Sequence, residues 1–248
     1  MSVEDFHFVV SEIRPFTDYV YLHVLGEPLL HPQFEEILLL AKNAGLNVNI
    51  STNGSLLMKR KDYLLENPVR QINISLHDAE ENIPKDKWEE YITTVLNIST
   101  EISSNSYINF RLWNQTNKTS FDFNSLCVKL ICKRFHLPEN TDLFHQKGRN
   151  ITLATNMYLQ LAPRFEWVEG KISSDKTCYG LRDQIAILSD GSVVPCCMDA
   201  DANLLLGNIF TEKLSVILQS DKAQRIKKGF EQNKAVEPYC QKCGFRSS

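Results

Sequence analysis

Three observations predict an α/β fold. Strand and helix patterns alternate through the first 160 residues, polar and apolar residues alternate within those strands, and the last third changes texture and gathers cysteines. Short β-branched strands alternating with longer helices imply parallel βαβ units joined by right-handed crossovers. A parallel sheet covered on both faces reads as nearly continuous apolar residues. Here Ile72, Ile74 and Leu76 alternate with Asn73, Ser75 and His77. Asn49, Ser51 and Asn53 repeat the pattern on one neighbouring strand, Asn109, Arg111 and Trp113 on another, and His23 has the same placement on the earliest strand. Polar faces turned into one interior describe an open, partly filled barrel lined for a polar ligand. The plainer alternative makes some of these residues strand ends in water.

The elements follow in order. Ser2 and Asp5 have the spacing of a capping box that opens an amphipathic helix, SVEDFHFVVSEIRPF. DYVYLHVLG (18–26) reads as a strand ending in Gly-Glu-Pro, and HPQFEEILLLAKNAG (31–45) as a helix with a glycine stop. Strands are expected at 47–54, 71–78 and 107–114, with helices at 59–68, 86–103 and 120–136 between and after them. ITLATNMYLQLAPRFEW (151–167) reads as an extended segment leading away from the barrel. QIAILSDGSVVPCC (184–197) is a hairpin turning at Asp190-Gly191, and 212–232 is one amphipathic helix. Two domains result, 1–160 and 161–248.

Composition excludes several classes. The chain of 248 residues is 43% hydrophobic and 23% charged, with net charge −3. Its basic residues are dispersed, so there is no nucleic-acid footprint, and the cations of DKAQRIKKGF (221–230) read as a solvated helix face. Apolar runs such as ILLLA (37–41) are too short to span a bilayer, and MSVEDFHF has no secretory pattern. Seven cysteines, an odd number at low density, suit a reducing compartment, so a cytoplasmic location is expected.

Four of those cysteines carry chemistry. Cys178 and Cys196 flank the hairpin, and Cys240 and Cys243 form a C-x-x-C pair after the last helix. Four thiolates at one point can hold a tetrahedral zinc or an iron–sulfur cube, and spacing alone leaves both open. Cys197 adjoins Cys196, and adjacent strand residues face opposite ways, so only one of them is expected as a ligand. Cys127 and Cys132, five apart on a helix, read as buried thiols. His31, His136 and His145 read as loop or helix-end residues.

G-E-P-L-L-H-P, a helix and then N-I-S-T-N-G resemble the second and third βα units of radical S-adenosylmethionine (SAM) enzymes. Cys178, Gly191 with four residues to Cys196, L-G-N-I and C-x-x-C resemble the auxiliary-cluster module called twitch, related to SPASM. The resemblance runs from residue 1 to about 246, and N-I-S-L-H-D with F-R-L-W-N is similar to a clostridial-type subgroup. It implies a partial (β/α)6 TIM-like barrel missing its first strand, plus a small α+β iron–sulfur module. An auxiliary 4Fe–4S cluster is implied on Cys178, Cys196, Cys240 and Cys243. With all four positions filled there is no open iron for substrate, which favours an electron-transfer role. Gly26 and Glu27 match the strand end that holds the methionyl amine of SAM, which a carboxylate suits. Ser51, Thr52 and Asn53 match the strand end that faces SAM near its ribose, and Ser75 and Arg111 match further interior contacts. Such enzymes cleave SAM reductively and abstract a substrate hydrogen, with the cofactor carrying the hard chemistry. Implied partners are a peptide or small-molecule substrate and, for the complete enzyme, an electron donor such as flavodoxin or ferredoxin.

The departure is that no cysteine precedes Cys127, so the family's C-x-x-x-C-x-x-C loop has no counterpart and SAM binding is expected to be weak or absent. Either the genuine protein continues upstream of Met1 by about 30–40 residues, the scale of a βα unit, or the chain is a repurposed member that keeps only the auxiliary cluster. A non-catalytic zinc-stapled binding protein and a silent iron–sulfur protein are the rival readings. Without a first strand, DYVYLHVLG exposes an aggregation-prone edge. The chain is therefore expected to be less soluble than a version extended upstream. Equal solubility and equal melting of the two would count against truncation.

Overall fold

In the computed structural model the capping box forms as the sequence predicts. Asp5 N–H donates to Ser2 Oγ, Ser2 N–H donates to the Asp5 carboxylate, and helix α1 runs Val3–Ile13 with Phe6, Val9, Val10 and Ile13 buried. The structure describes residues 1–115, 121–138, 150–167, 173–175 and 177–246; His145 lies outside them. These divide into two compact units, one of Asp18–Arg164 and one that joins Met1–Thr17 to Phe165–Ser248.

The Asp18–Arg164 unit is built on one sheet. Its elements are β1 (Tyr19–Leu22), α2 (Phe34–Asn43), β2 (Asn47–Thr52), α3 (Leu57–Glu66), β3 (Gln71–Ser75), α4 (Ala79–Asn82), α5 (Trp88–Ile102), β4 (Tyr107–Leu112), α6 (Phe121–Phe135), β5 (Asn150–Ala154) and β6 (Met157–Leu161). Strand order is β1-β2-β3-β4-β6-β5, parallel throughout except for the antiparallel β5–β6 pair. Helices connect the parallel strands, as an α/β chain requires. The expected elements are therefore present, mostly a few residues shorter than their sequence patterns. One differs in kind. The segment expected to lead away is a hairpin whose second strand adds to β4, with Asn156 at φ +62 in its turn and its Nδ2 donating to Ser103 O. A non-glycine residue in the left-handed region is uncommon, and asparagine tolerates it best.

One sheet face is the core. Ile50, Ile72, Ile74, Ile108, Phe110, Leu112 and Leu159 have no exposed surface, and Leu38, Leu64, Ile92 and Ile131 from the helices are likewise buried. Each such side chain contributes about 1.5–3 kcal/mol through burial. The opposite face carries the polar alternation, with Asn49, Asn73 and Asn109 buried on it.

The second unit combines both ends of the sequence. Strands β7 (Ala186–Ile187), β8 (Ser192–Val194) and β9 (Gly207–Asn208) form an antiparallel sheet, with the expected turn at Asp190-Gly191. Helix α1 clusters with this unit: the Phe8 ring is 6.0 Å from that of Phe210, and Leu214 N–H donates to Glu12. The single helix expected over 212–232 is two, α7 (Leu214–Gln219) and α8 (Asp221–Glu231). Ser220 is extended at ψ 150 and its hydroxyl accepts from Ala223 N–H, so it caps α8 and breaks the run. The short α9 (Pro238–Gln241) carries Cys240. No helix among the described residues is long and apolar enough to cross a membrane. Ser220→Ala should cost about 1 kcal/mol of stability, read as a lower denaturant midpoint with unchanged slope.

Candidate functional site

The polar face of the sheet is a network, not scattered strand ends. Register sets Ser51 beside Asn73, Asn73 beside Asn109 and Ser75 beside Arg111. Asn73 Oδ1 accepts from Gln71 at 2.7 Å and from Asn109 at 3.3 Å, and Asn73 Nδ2 donates to Ile50 O. Arg111 Nη1 reaches over β3 to Ser51 Oγ at 3.5 Å, and its guanidinium lies 4.5 Å from the Trp113 ring. Trp113 stacks on His77, whose Nδ1 lies 3.1 Å from Arg111 O. Among the described residues, Trp113 Nε1 and Asn109 Oδ1 are buried without a hydrogen-bond partner. Buried polar atoms of that kind are normally satisfied, so this face has donor and acceptor capacity to spare for a ligand.

The ends of β1 and β2 are tied together at Asn53. Gly26 sits at φ +77, after Val24 at φ +96, an outlying value for a β-branched residue. Glu27 then accepts from Leu29 N–H at 3.0 Å and from Asn53 N–H at 2.8 Å. Tyr91, from α5, donates its hydroxyl to Asn53 O. The Asn53 backbone is thus held on both sides, while its side chain accepts from Ser55 N–H and Ser55 Oγ. Gly54 cannot be replaced, because it lies at φ +80 and an added Cβ would stand 3.0 Å from the Tyr91 hydroxyl and 3.2 Å from Ile74 and Val95. Of the matched residues, Gly26, Glu27, Ser51, Asn53, Ser75 and Arg111 belong to this end of the sheet. Thr52 is buried, with its hydroxyl accepting from Gly54 N–H, and lies on the other face of β2 from Ser51. Sequence reasoning missed Tyr91, since nothing in W-E-E-Y marks a hydroxyl that bonds a carbonyl 38 residues away.

Four cysteines line one cavity of the other unit. They are Cys178, Cys196, Cys240 and Cys243, and the cavity, of about 40 Å³, has Trp167, Thr177, Gly180, Asp199 and Tyr239 among its walls. Cys197 is outside that lining, and Cys127 and Cys132 are buried in α6. An apolar floor of Ile226, Phe230 and Ala235 packs against Cys178 and Cys240. Gly180 N–H donates to Cys178 Sγ at 3.4 Å, and Met198 N–H hydrogen-bonds Cys196. Asp199 braces the following loop by accepting from Asn203 N–H, Asn203 Nδ2 and Leu204 N–H. Burial pushes the Cys196 and Cys240 thiols up to about 12, and the neighbouring sulfurs add to the shift. Thiols that resist ionising together are a donor set that a bound cation would complete. Among the described residues, no three His, Cys, Asp or Glu side chains are gathered closely enough to hold a metal ion. The four sulfurs face a common space without contracting to a point.

Tyr91→Phe should cost about 1 kcal/mol by removing the bond to Asn53 O, measured by urea denaturation. Gly54→Ala should cost about 2–4 kcal/mol, through left-handed strain and crowding together. Although His23 is exposed at the surface, partial desolvation first and the Arg111 cation second lower its pKa below the ordinary 6.5. The unfolded chain therefore binds more protons, and stability falls as pH drops below about 6.5. His23→Asn should flatten that part of the melting-temperature profile relative to the parent chain.

Residues 178–244 match the model of the SPASM family, an iron–sulfur cluster-binding domain. No curated protein matches the sequence. Among solved structures, BtrN in complex with AdoMet and 2-DOIA is 15% identical, with 98% of this chain and 80% of that one covered and a TM-score of 0.60. Streptococcus suis SuiB bound to S-adenosylmethionine is 15% identical, covering 97% of this chain and 65% of that one at 0.54. Histidine-tagged anSMEcpe with bound AdoMet is 15% identical, covering 98% and 76% at 0.55. Residues 178–244 thus resemble a SPASM iron–sulfur cluster-binding domain, and the chain is similar in its largely parallel α/β fold to these radical SAM enzymes.

Proposed function

We propose that the chain is a radical SAM/SPASM-type protein whose residues 161–248 form a shortened, twitch-like module. In this reading the module holds one auxiliary 4Fe–4S cluster on Cys178, Cys196, Cys240 and Cys243. The observation that carries the reading is the single cavity lined by all four thiols. What favours a cluster over zinc on those thiols is the match of residues 178–244 to an iron–sulfur cluster-binding domain. The backbone N–H donors to Cys178 and Cys196 suit thiolates whose charge must be stabilised without solvent. A bound cluster supplies one-electron transfer. The chain's own residues provide four sulfurs, an apolar floor and donors to two of those sulfurs.

The Asp18–Arg164 sheet is proposed as a partial TIM-like barrel whose polar face offers a SAM site, weakly filled or empty without the three-cysteine loop. Gly26 and Glu27 form the end suited to the methionyl amine, Ser51 and Asn53 the part suited to the ribose, and Ser75 and Arg111 offer further polar contacts. Hydrogen abstraction from a substrate belongs to a form that also carries a three-cysteine loop, served by a donor such as flavodoxin or ferredoxin in the cytoplasm. BtrN was solved with 2-DOIA and SuiB with the precursor peptide SuiA, so a small molecule and a peptide are both open as substrate classes here.

Anaerobic reconstitution with iron and sulfide should give a broad absorbance near about 400 nm and about four irons per chain. Cys196→Ser and Cys240→Ser should each lose most of that signal, while Cys127→Ser keeps it. Stoichiometric zinc without the band would establish the zinc-stapled alternative instead. SAM binding without cleavage by the reconstituted chain would mark it as a silent iron–sulfur protein.

A further inference from the structure

One wall of the cysteine cavity is aromatic, and its construction is specific. Trp167 forms an antiparallel bridge with Cys243, so its backbone is fixed to a proposed ligand. Gly244 makes this possible, since a Cβ there would lie 2.2 Å from Glu166 O. The Trp167 ring lies 4.4 Å from the ring of Tyr239, the residue before Cys240, and Phe165 packs edge-on to Trp167 at 5.2 Å. The Tyr239 hydroxyl is hydrogen-bonded to Asn203, which the buried Asp199 holds. Trp167 is 39% exposed, so its ring has the cavity on one side and solvent on the other.

We propose that Trp167 and Tyr239 are a water-excluding wall that sets the reduction potential and oxygen sensitivity of the metal centre held by the four cysteines. The proposal rests on the cluster reading above. Reduction adds negative charge to the centre, and water stabilises that charge better than an aromatic ring does. Opening the wall must therefore raise the potential and admit oxygen. Both rings line the cavity beside the sulfurs, and neither supplies a ligand.

The test uses the full chain, reconstituted anaerobically, as parent, Trp167→Ala, Trp167→Phe and Tyr239→Phe. Trp167→Ala should raise the reduction potential in a spectroscopic titration and bleach severalfold faster in air, with an unchanged far-ultraviolet spectrum. Trp167→Phe and Tyr239→Phe, which keep a ring in place, should stay close to the parent in both. Unchanged potential and unchanged bleaching in Trp167→Ala overturn the proposal, as does a Trp167→Phe variant as altered as the alanine. If Trp167→Ala loses its fold, Trp167→Leu, apolar but smaller, is judged by the same two readouts. Should the parent take up zinc instead, the cluster reading fails on its own. The wall is then judged by zinc release to a chromogenic chelator, which Trp167→Ala must accelerate severalfold and Trp167→Phe must not.

Discussion

The C-terminal unit depends on one constraint: four thiols from distant points of the chain must share one cavity. Cys178 precedes the β7–β8 hairpin, Cys196 follows it, and Cys240 and Cys243 arrive after two helices. Local hydrogen bonds could not gather them, so the work falls to packing. Ile226 and Phe230 on α8 form the floor, Asp199 stiffens the loop after Cys196, and Gly244 lets the strand at Trp167 cross directly above the C-x-x-C turn. Burial makes Cys196 and Cys240 hard to ionise when nothing is bound, so a cation that enters this packing must displace their protons.

The Asp18–Arg164 unit solves a different problem with similar economy. Its sheet spends one face on an apolar core and keeps the other polar, where Gln71, Asn73 and Asn109 bond one another across the register while Asn49 Nδ2 and Asn109 Oδ1 are left over. At the strand ends the Asn53 peptide is fixed by a carboxylate from the β1 side and a hydroxyl from α5. Such a surface presents polar groups to a ligand without first having to order them.

Much of this was legible in the residues. The capping box at Ser2 and Asp5, the βα alternation and the Asp190-Gly191 turn all follow from local pattern or spacing. What escaped was non-local. The β5–β6 hairpin carries no Asn-Gly signature, and β6 finds its partner in β4 almost fifty residues away. The amphipathic pattern of 212–232 runs straight through Ser220, although a serine there can equally end one helix and begin the next. Tyr91 and Trp167 act through contacts that no sequence period encodes.

The sharing of one unit by α1 and the C-terminal third has a consequence for biogenesis. During synthesis the Asp18–Arg164 segment can collapse on its own contacts, whereas Glu12 must wait for Leu214, 202 positions later. The contacts of Phe8 with Phe210 and of Glu12 with Leu214 therefore cannot form until most of the protein is made. Such long-range closure is slow, which marks the interval before it as the period when a chaperone has most to protect.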